Sequence, residues 1–184
     1  MRIFISGGCK NGKSYHAQRL AKMQQREGLP LYYIATMNPV DGEDRERILR
    51  HQKEREGWGF TTVEQPANIQ DIYHKCDPKG SFLLDSTTAL LAEEMFAKNG
   101  KKDCAAAEKV TGDLTALLEK CKDIVLVSDY IYSDAILYDP LTEEYRKSLA
   151  KVDCAVAKLC DVVLEVSYTN VTVHKGGESY QEIL

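Results

Sequence analysis

A glycine-rich segment near the N-terminus contains the residue types that bind the phosphates of a purine nucleoside triphosphate. It reads G-x-x-x-x-G-K-S, and its residues are Gly7, Gly8, Cys9, Lys10, Asn11, Gly12, Lys13 and Ser14. The segment lies between a predicted strand and a predicted helix, where backbone N–H groups and the positive helix N-terminus can surround one anion. Lys13 is expected to reach the β and γ phosphates, and Ser14 to offer its hydroxyl to Mg²⁺. This context disfavours the alternative, a chance glycine turn.

A carboxylate that can hold this Mg²⁺ ends a predicted buried strand. Asp85 follows the apolar residues 82–84, and an acid in that position can bind the metal directly or through water. Aspartate is also a favoured helix N-cap, so capping of the next helix is the competing interpretation. Asp129 ends the following strand and is a weaker candidate, because a solvated loop acid explains it equally well. The predicted metal ligands are therefore Ser14 and Asp85.

A histidine lies within a basic segment, residues 43–55, that is helical by propensity. Arg47, His51 and Arg55 are spaced at i, i+4 and i+8, which places them on one face. Such a row of cationic groups suits a bound polyphosphate. A neutral imidazole there could attack the α phosphorus of a nucleoside triphosphate, forming a phosphoramidate and expelling pyrophosphate. By spacing alone, a solvated charged helix with an incidental histidine remains the favoured interpretation.

Short apolar runs alternate with longer segments of helix-forming residues. The predicted strands span residues 2–6, 31–35, 81–85, 124–128 and 162–166. The predicted helices span residues 14–26, 43–55, 87–98, 103–122 and 141–160. Right-handed crossovers would place these helices on both faces of a mostly parallel sheet, so we predict a three-layer α/β fold. Residues 171–174 follow the fifth strand too closely for a parallel crossover and are expected to pair antiparallel at the C-terminal edge.

Length and composition limit the class of protein. The 184 residues fit one domain, with a tail after about residue 176 that is expected to be frayed. A net charge of −4 gives no general attraction to nucleic acid or anionic lipid. No apolar run approaches the roughly 20 residues of a membrane-spanning helix, and the N-terminus lacks the features of a secretion signal. We therefore expect a cytoplasmic protein. The six dispersed cysteines form no C-x-x-C pair, which argues against a structural zinc site.

Five sequence segments occur in the same order as in one known enzyme family. They read GGCKNGKS at residues 7–14, YIATMN at 33–38, RILRHQKER at 47–55, TTVEQP at 61–66 and LLDSTT at 83–88. The histidine segment, followed by Trp58 and a T-V-E strand, is far more restrictive than the phosphate loop. Over nearly its whole length the chain resembles the bifunctional adenosylcobinamide kinase/adenosylcobinamide-phosphate guanylyltransferase family of cobalamin biosynthesis.

The resemblance implies a transferase with two reactions and a RecA-like P-loop NTPase fold. Such an enzyme phosphorylates adenosylcobinamide with ATP or GTP and then transfers GMP from GTP to that phosphate, giving adenosylcobinamide-GDP and pyrophosphate. His51 matches the family's guanylylated histidine, and Lys13 and Asp85 complete the implied catalytic set. The positions that match the family's other GTP contacts are Thr36, Met37, Asn38, Gln52, Lys53, Glu54, Arg55, Glu64 and Asp85. The family also implies Mg²⁺ as cofactor and a homo-oligomer, often a trimer.

The chain departs from the family pattern in three places. Residues 128–134 read SDYIYSD where the family commonly has Asn-Glu-Val-Gly, and the irregular stretch 129–140 is a candidate substrate loop. Glu93 or Glu94 replaces a usual asparagine, and Arg55-Glu56 replaces an Arg-Pro pair. These departures affect the corrinoid side of the prediction more than the nucleotide side. Two alternatives therefore stay open: a P-loop small-molecule kinase or NTPase without guanylyl transfer, and a non-catalytic nucleotide-binding regulatory protein.

Overall fold

The fold is built on one seven-stranded sheet. The computed structural model describes residues 1–96 and 102–183, except for the side chains of Glu43 and Arg47. The strands are β1 (Arg2–Gly7), β2 (Leu31–Ala35), β3 (Thr61–Glu64), β4 (Ser81–Asp85), β5 (Asp123–Asp129), β6 (Val162–Ser167) and β7 (Asn170–Lys175). Five of them coincide with the predicted apolar runs to within two residues. Because β3 is a mostly exposed edge strand, it has no apolar run by which periodicity could have detected it.

The strand order is β3-β2-β4-β5-β1-β6-β7. All neighbouring strands are parallel except β6 and β7, which pair antiparallel as predicted. The order places β5 between β1 and β4, so the strand of the phosphate loop and the strand of Asp85 are not adjacent. Parallel strands end at one edge of a sheet, and this edge therefore collects the residues predicted to act on a nucleotide.

The described residues form six α-helices and one short 3-10 helix, Ile69–His74, and all but the last α-helix lie between strands. The α-helices are α1 (Lys13–Met23), α2 (Gly42–Glu54), α3 (Thr87–Phe96), α4 (Ala106–Lys120), α5 (Pro140–Leu159) and α6 (Gly177–Gln181). Asp41 caps α2 by accepting a hydrogen bond from Asp44 N at 2.9 Å, and Asp139 caps α5 in the same way. Each cap satisfies backbone donors that a helix start leaves unpaired.

Two apolar cores cover the two faces of the sheet. On one face, Phe4 and Leu126 pack with residues of α3, α4 and α5. On the other face, Ile3 and Ile5 pack with α1 and with Tyr180 of α6. Successive residues of β1 thus point into opposite cores, as strand geometry requires. The predicted three-layer α/β fold of the RecA-like P-loop type is confirmed.

Helix α2 and the C-terminal tail depart from a simple layered arrangement. None of the described side chains of α2 belongs to either core, so this helix stands at the carboxyl edge of the sheet instead of covering a face. In the tail after residue 176, residues 177–181 form α6 and bury Tyr180 to 8% exposure.

Candidate functional site

The phosphate loop follows β1 and is held in a tight curl. Gly12 has φ +93°, and Lys10 has φ +57°, both in the left-handed region that the curl requires. A Cβ on Gly7 would lie 2.7 Å from Asn11 Nδ2, so a side chain there would collide with the loop itself. The Asn11 amide donates a hydrogen bond to the carbonyl oxygen of Val166, which fixes the loop to β6. The glycines of the motif therefore allow the backbone of the loop to adopt this curl.

Lys13 begins α1 and turns its ammonium back into this loop. Its Nζ lies 2.6 Å from the carbonyl oxygen of Gly8 and 2.7 Å from Asp129 Oδ1. The residue is only 5% exposed, so the ion pair is largely shielded from water. Ser14, the next residue of the helix, is half-buried. The structure thus brings Asp129, the weaker of the two predicted acids, into contact with the phosphate-binding lysine.

Asp85 ends β4, on the far side of β5 from the phosphate loop. Its Oδ2 accepts a hydrogen bond of 2.7 Å from the hydroxyl of Tyr33. The capping interpretation does not apply to Asp85, because the Ser86 hydroxyl accepts from Ala89 N at 3.2 Å and so caps α3. Asp85 has a carboxylate available at the carboxyl edge of the sheet, where the sequence predicted it.

A cavity of about 720 Å³ separates α2 from the ends of β2, β3, β4 and β5. Its volume is in the range of sites that hold a nucleotide-sized ligand. Several predicted site residues line it: Met37, Asn38, His51, Gln52, Arg55, Glu64, Asp85 and, from the weaker prediction, Asp129. No residue of the phosphate loop itself lines this cavity, and Asp129 is shared between the cavity and the loop through its ion pair with Lys13.

Helix α2 presents one face to the cavity. Ile48, His51, Gln52 and Arg55 recur at the spacing of one helical face and all line it. Lys53 is exposed and absent from the cavity wall, as expected for a residue on another face. Of the predicted row Arg47, His51 and Arg55, the last two line the cavity. The Arg47 side chain lies outside the described part of the chain.

His51 is partly enclosed, with 22% of its side chain exposed. Its Nδ1 lies 3.4 Å from Glu54 Oε2, one turn further along α2. This distance is within reach of an ion pair, but the geometry is not that of a hydrogen bond, and Nδ1 has no hydrogen-bond partner among the described residues. Glu54 is thus placed beside the histidine and away from the cavity wall, which differs from its predicted role as a nucleotide contact.

Residues 36–38 leave the end of β2, and only two of them face the cavity. Thr36 is fully buried, and its hydroxyl donates to Ser86 O and accepts from Ser86 N, both at 2.7 Å. Direct nucleotide contact by this hydroxyl does not fit the observed conformation. Asn38 and Glu93 both line the cavity, and burial raises the pKa of Glu93 above its ordinary value, although the Asn38 side chain acts in the opposite direction. Glu93 is therefore a cavity residue that sequence reasoning noted only as a departure from the family.

A buried carboxylate lies behind the edge of the sheet. Asp153 on α5 accepts hydrogen bonds from Ser128 Oγ at 2.6 Å, Tyr132 OH at 2.9 Å and Thr87 Oγ1 at 3.2 Å. Burial raises the pKa of Asp153 to about 6, although these hydrogen bonds act in the opposite direction. The group joins the ends of β4 and β5 to α5 and so supports the segment that carries Asp129. No sequence signal identified it, because it lies inside an ordinary amphipathic helix.

Comparison with known proteins decides the family. The family model described as cobinamide kinase / cobinamide phosphate guanyltransferase matches residues 3–170. The chain belongs to this family. It is 26% identical over 175 residues to the bifunctional adenosylcobalamin biosynthesis protein CobU of Escherichia coli, covering 89% of this chain and 93% of that protein. It is 29% identical over 167 residues to the bifunctional adenosylcobalamin biosynthesis protein CobP of Pseudomonas aeruginosa, covering 89% and 91%.

Solved structures agree with the fold. The flagellar accessory protein FlaH from Methanocaldococcus jannaschii superposes with a TM-score of 0.51 at 12% identity, covering 95% of this chain and 77% of that one. A Pyrococcus horikoshii protein, PH0250, superposes with a TM-score of 0.55 at 7% identity, covering 96% and 86%. At these identities the likeness concerns the fold alone. The family membership therefore rests on sequence, and the fold on both comparisons.

No helix among the described residues is long and apolar enough to cross a membrane. No group of three or more His, Cys, Asp or Glu side chains within residues 1–96 and 102–183 could hold a metal ion by itself.

Proposed function

We propose that this cobinamide kinase/guanylyltransferase family member phosphorylates adenosylcobinamide with ATP or GTP and then transfers GMP from GTP to the new phosphate. The transfer proceeds through a guanylyl-histidine on His51 and yields adenosylcobinamide-GDP and pyrophosphate. One observation carries the proposal: His51 and the acids Asp85 and Asp129 line a single cavity, and Asp129 is paired with Lys13. A triphosphate held by the loop would thus lie beside the cavity that contains the nucleophile.

Lys13 and the curled loop bind the β and γ phosphates in this proposal. The loop supplies backbone N–H groups, and the N-terminal end of α1 adds a favourable dipole. Because Lys13 Nζ is already paired with Asp129, phosphate oxygens take the place of the Asp129 carboxylate around the ammonium. That exchange releases Asp129 for another cation.

The residues present fit a Mg²⁺ ion that arrives with the nucleotide. Asp85, Asp129 and the Ser14 hydroxyl offer the hard oxygen donors that Mg²⁺ prefers, and no three-acid cluster among the described residues would bind it alone. Mg²⁺ commonly combines one or two carboxylates with substrate phosphates and water. When bound, it neutralises charge that develops on the transferred phosphoryl group. Asp85, Asp129 and Ser14 would hold it.

His51 attacks the α phosphorus in the guanylylation step. Glu54 lies beside Nδ1 and favours the tautomer that carries its proton there, which leaves the Nε2 lone pair free as the nucleophile. A bond forms between Nε2 and the α phosphorus, the α–β P–O bond breaks, and pyrophosphate leaves. A phosphate oxygen of the corrinoid then attacks the same phosphorus, and the P–N bond breaks to restore the histidine.

The kinase step uses the other end of the triphosphate. The hydroxyl oxygen of the aminopropanol group attacks the γ phosphorus, the bond to the β-phosphate oxygen breaks, and a nucleoside diphosphate and a proton are released. Lys13 is positioned on this end, so its loss should stop both reactions.

Glu64 gives the cavity a means to select guanine. It ends β3 as an exposed carboxylate in the cavity wall. Guanine presents N1–H and N2–H donors on one edge, whereas adenine presents an acceptor at N1. A carboxylate can accept both of these donors from guanine, whereas adenine has no N1–H to donate, so Glu64 would favour guanine. The proposal therefore assigns Glu64 to the base of GTP, with Met37 and Gln52 as further cavity contacts.

Labelling with GTP that carries ³²P at the α position tests the proposal. We expect acid-labile label that survives denaturation, is chased by the corrinoid phosphate, and disappears in His51→Ala while kinase activity remains. His74→Ala is a matched control, since His74 is exposed and outside the cavity. An active kinase without label would reduce the chain to a kinase or NTPase. Tight GTP binding without turnover of either corrinoid would indicate a non-catalytic regulatory protein.

Assembly and location complete the proposal. The resemblance to the family leads us to propose a cytoplasmic homo-oligomer, a trimer in its usual form, which light scattering on the purified protein will test.

A further inference from the structure

Tyr33 is a buried tyrosine whose hydroxyl reaches the site. It lies on β2, is 5% exposed, and packs edge-on against Phe60 with ring centroids 6.1 Å apart. Its hydroxyl donates a hydrogen bond of 2.7 Å to Asp85 Oδ2. In the β2–β4 register Tyr33 lies opposite Leu83, two residues before Asp85, so the phenol ring runs along the sheet towards the carboxylate. The length of a tyrosine side chain is what allows this contact.

A cation lies over the face of the same ring. The Arg55 guanidinium carbon is 3.6 Å from the Tyr33 ring centroid, and Arg55 is 7% exposed. Arg55 also donates to Thr62 Oγ1 at 3.2 Å, which fixes the guanidinium above the ring. A desolvated cation at this distance attracts the ring face and draws electron density from the phenol, which strengthens the hydroxyl as a donor. The ring is thus in contact with both Arg55 and Phe60.

These contacts restrict one carboxylate oxygen of Asp85 and leave the other accessible. Oδ2 is occupied by Tyr33, whereas Oδ1 has no hydrogen-bond partner among the described residues. An aspartate at a strand end otherwise rotates about χ1 and χ2, and a metal ligand must lose that freedom when it binds. A hydrogen bond that fixes the side chain beforehand removes part of this cost, as partners behind metal ligands do.

We propose that Tyr33 is a positioning residue that holds Asp85 in the orientation needed for the divalent cation of the bound triphosphate. The inference rests on the proposed role of Asp85 as a metal ligand. It adds Tyr33, which lines the cavity and acts on the cation through Asp85. Tyr33 belongs to β2, whereas Arg55 ends the helix that carries His51, so the contact also connects the metal ligand to that helix.

Replacement of Tyr33 by phenylalanine isolates the hydroxyl, since Phe keeps the ring that contacts Arg55 and Phe60. Mn²⁺ serves as the probe, and its binding is followed by electron paramagnetic resonance. The nucleotide is a GTP analogue whose α–β bridging oxygen is nitrogen, so that no pyrophosphate can leave. We expect Tyr33→Phe to weaken Mn²⁺ binding by roughly five- to thirtyfold, as loss of a hydrogen bond to a charged group does. Activity should return to within about twofold of wild type at saturating Mg²⁺, because a positioning defect is overcome by mass action.

Tyr32→Phe is the matched control. Tyr32 is the preceding residue of β2, points to the opposite core, and its hydroxyl accepts from Asp77 N at 3.1 Å. It should leave Mn²⁺ binding unchanged. Equal losses in Tyr32→Phe and Tyr33→Phe, or wild-type Mn²⁺ affinity in Tyr33→Phe while Asp85→Asn binds poorly, would overturn the inference and leave the proposed function standing. Wild-type affinity in Asp85→Asn would instead remove the metal-ligand role of Asp85, and the role of Tyr33 with it.

Discussion

The Lys13 ammonium lies 2.7 Å from Asp129 Oδ1, so the phosphate-binding lysine is already paired with an acid of its own chain. The pair is formed across the sheet, between the helix that follows β1 and the last residue of β5. β1 and β5 are neighbours with Gly7 opposite Asp129, which makes the contact a direct result of strand order. A triphosphate must therefore compete with Asp129 for Lys13.

Asp129→Asn should separate phosphate affinity from metal use. Without Mg²⁺, the neutral amide no longer competes for Lys13 or repels phosphate, so nucleotide affinity should rise about three- to tenfold. With Mg²⁺, turnover in both reactions should fall by at least about a hundredfold, because a metal ligand is lost. Quenching of Trp58, the single tryptophan, can report nucleotide binding, since its ring contacts Tyr15 beside Ser14.

Lys13→Ala supplies the comparison for this prediction. It should lose nucleotide affinity with and without Mg²⁺, because no ammonium remains to bind the phosphates. If Asp129→Asn behaved in the same way as Lys13→Ala in the absence of metal, the proposed competition would be wrong.

Glu54→Gln should slow guanylylation of His51. The carboxylate lies 3.4 Å from Nδ1 and is 51% exposed, so its influence is partly screened by water. We expect the rate of label incorporation from α-labelled GTP to fall about three- to tenfold, with little change in kinase rate. Glu46→Gln is the control, because Glu46 is exposed on the same helix and outside the cavity wall. A similar loss in both variants would point to the general charge of the helix.

Asp153 should make the folded state less stable as pH rises. Burial raises its pKa to about 6, above the value of 3.8 expected in an unfolded chain. The folded state therefore binds more protons between pH 4 and 6, and stability that is present at the lower pH is lost as the pH passes 6. Relative to Asp153→Asn, the wild-type free energy of unfolding should fall by up to about 3 kcal/mol between pH 4 and 7. Urea denaturation across this range provides the measurement.

Asp161 provides a control of opposite sign. A hydrogen bond from Arg2 lowers the pKa of Asp161, so its contribution to stability is present above the unfolded pKa and is lost as pH falls. The difference between wild type and Asp161→Asn should therefore increase with pH. The same pH trend in both comparisons would contradict the assignment for Asp153.

Arg146→Met should loosen the segment between β5 and α5. Arg146 is 6% exposed and donates to the carbonyl oxygens of Ile131 and Ile136 and to the carboxylate of Asp134. Its loss leaves these acceptors unpaired, and we expect a cost of about 2–4 kcal/mol in unfolding free energy. Limited proteolysis should show faster cleavage near Leu137, which is 93% exposed. Lys147→Met, a change at an exposed neighbour, should alter neither the unfolding free energy nor the cleavage rate. Equal cleavage of both variants would show that the hydrogen bonds of Arg146 do not hold the segment in place.

Periodicity predicted the buried strands well because each is a short apolar run between helical segments, and β1 is an example with Ile3 and Ile5 fully buried. It did not detect Thr61–Glu64 as a strand by that route, since an edge strand with exposed residues needs no apolar pattern. It also extended the predicted helices 14–26 and 103–122 by two or three residues beyond the ends of α1 and α4, because helix propensity does not mark where packing ends. The last two residues of the predicted helix 87–98 lie outside the described residues. The fold class depends on the pattern, and the boundaries depend on tertiary contacts.

Some residues of the site were predicted correctly from the sequence, and others were not. A helical repeat was enough to place His51 and Arg55 on one face, and both line the cavity. Matching by position also included Thr36, whose hydroxyl is bonded to Ser86, and Lys53, which lies on another face. Matching by sequence position does not tell whether a side chain on a helix or at the end of a strand faces the cavity. Tyr33 was missed for a related reason, because its partner Asp85 is 52 residues away in the chain.

The sequence by itself determined the phosphate loop, since glycines, Lys13 and Ser14 act through local backbone geometry that eight consecutive residues fully specify. It also determined the α/β alternation, which depends on hydrophobic periodicity over short windows. Only the tertiary structure decided that Asp129 and not Asp85 contacts Lys13, because strand order places β5 next to β1. Strand order depends on pairing between distant segments, and the free energy of that pairing is determined by the whole sheet and not by any single segment of the chain.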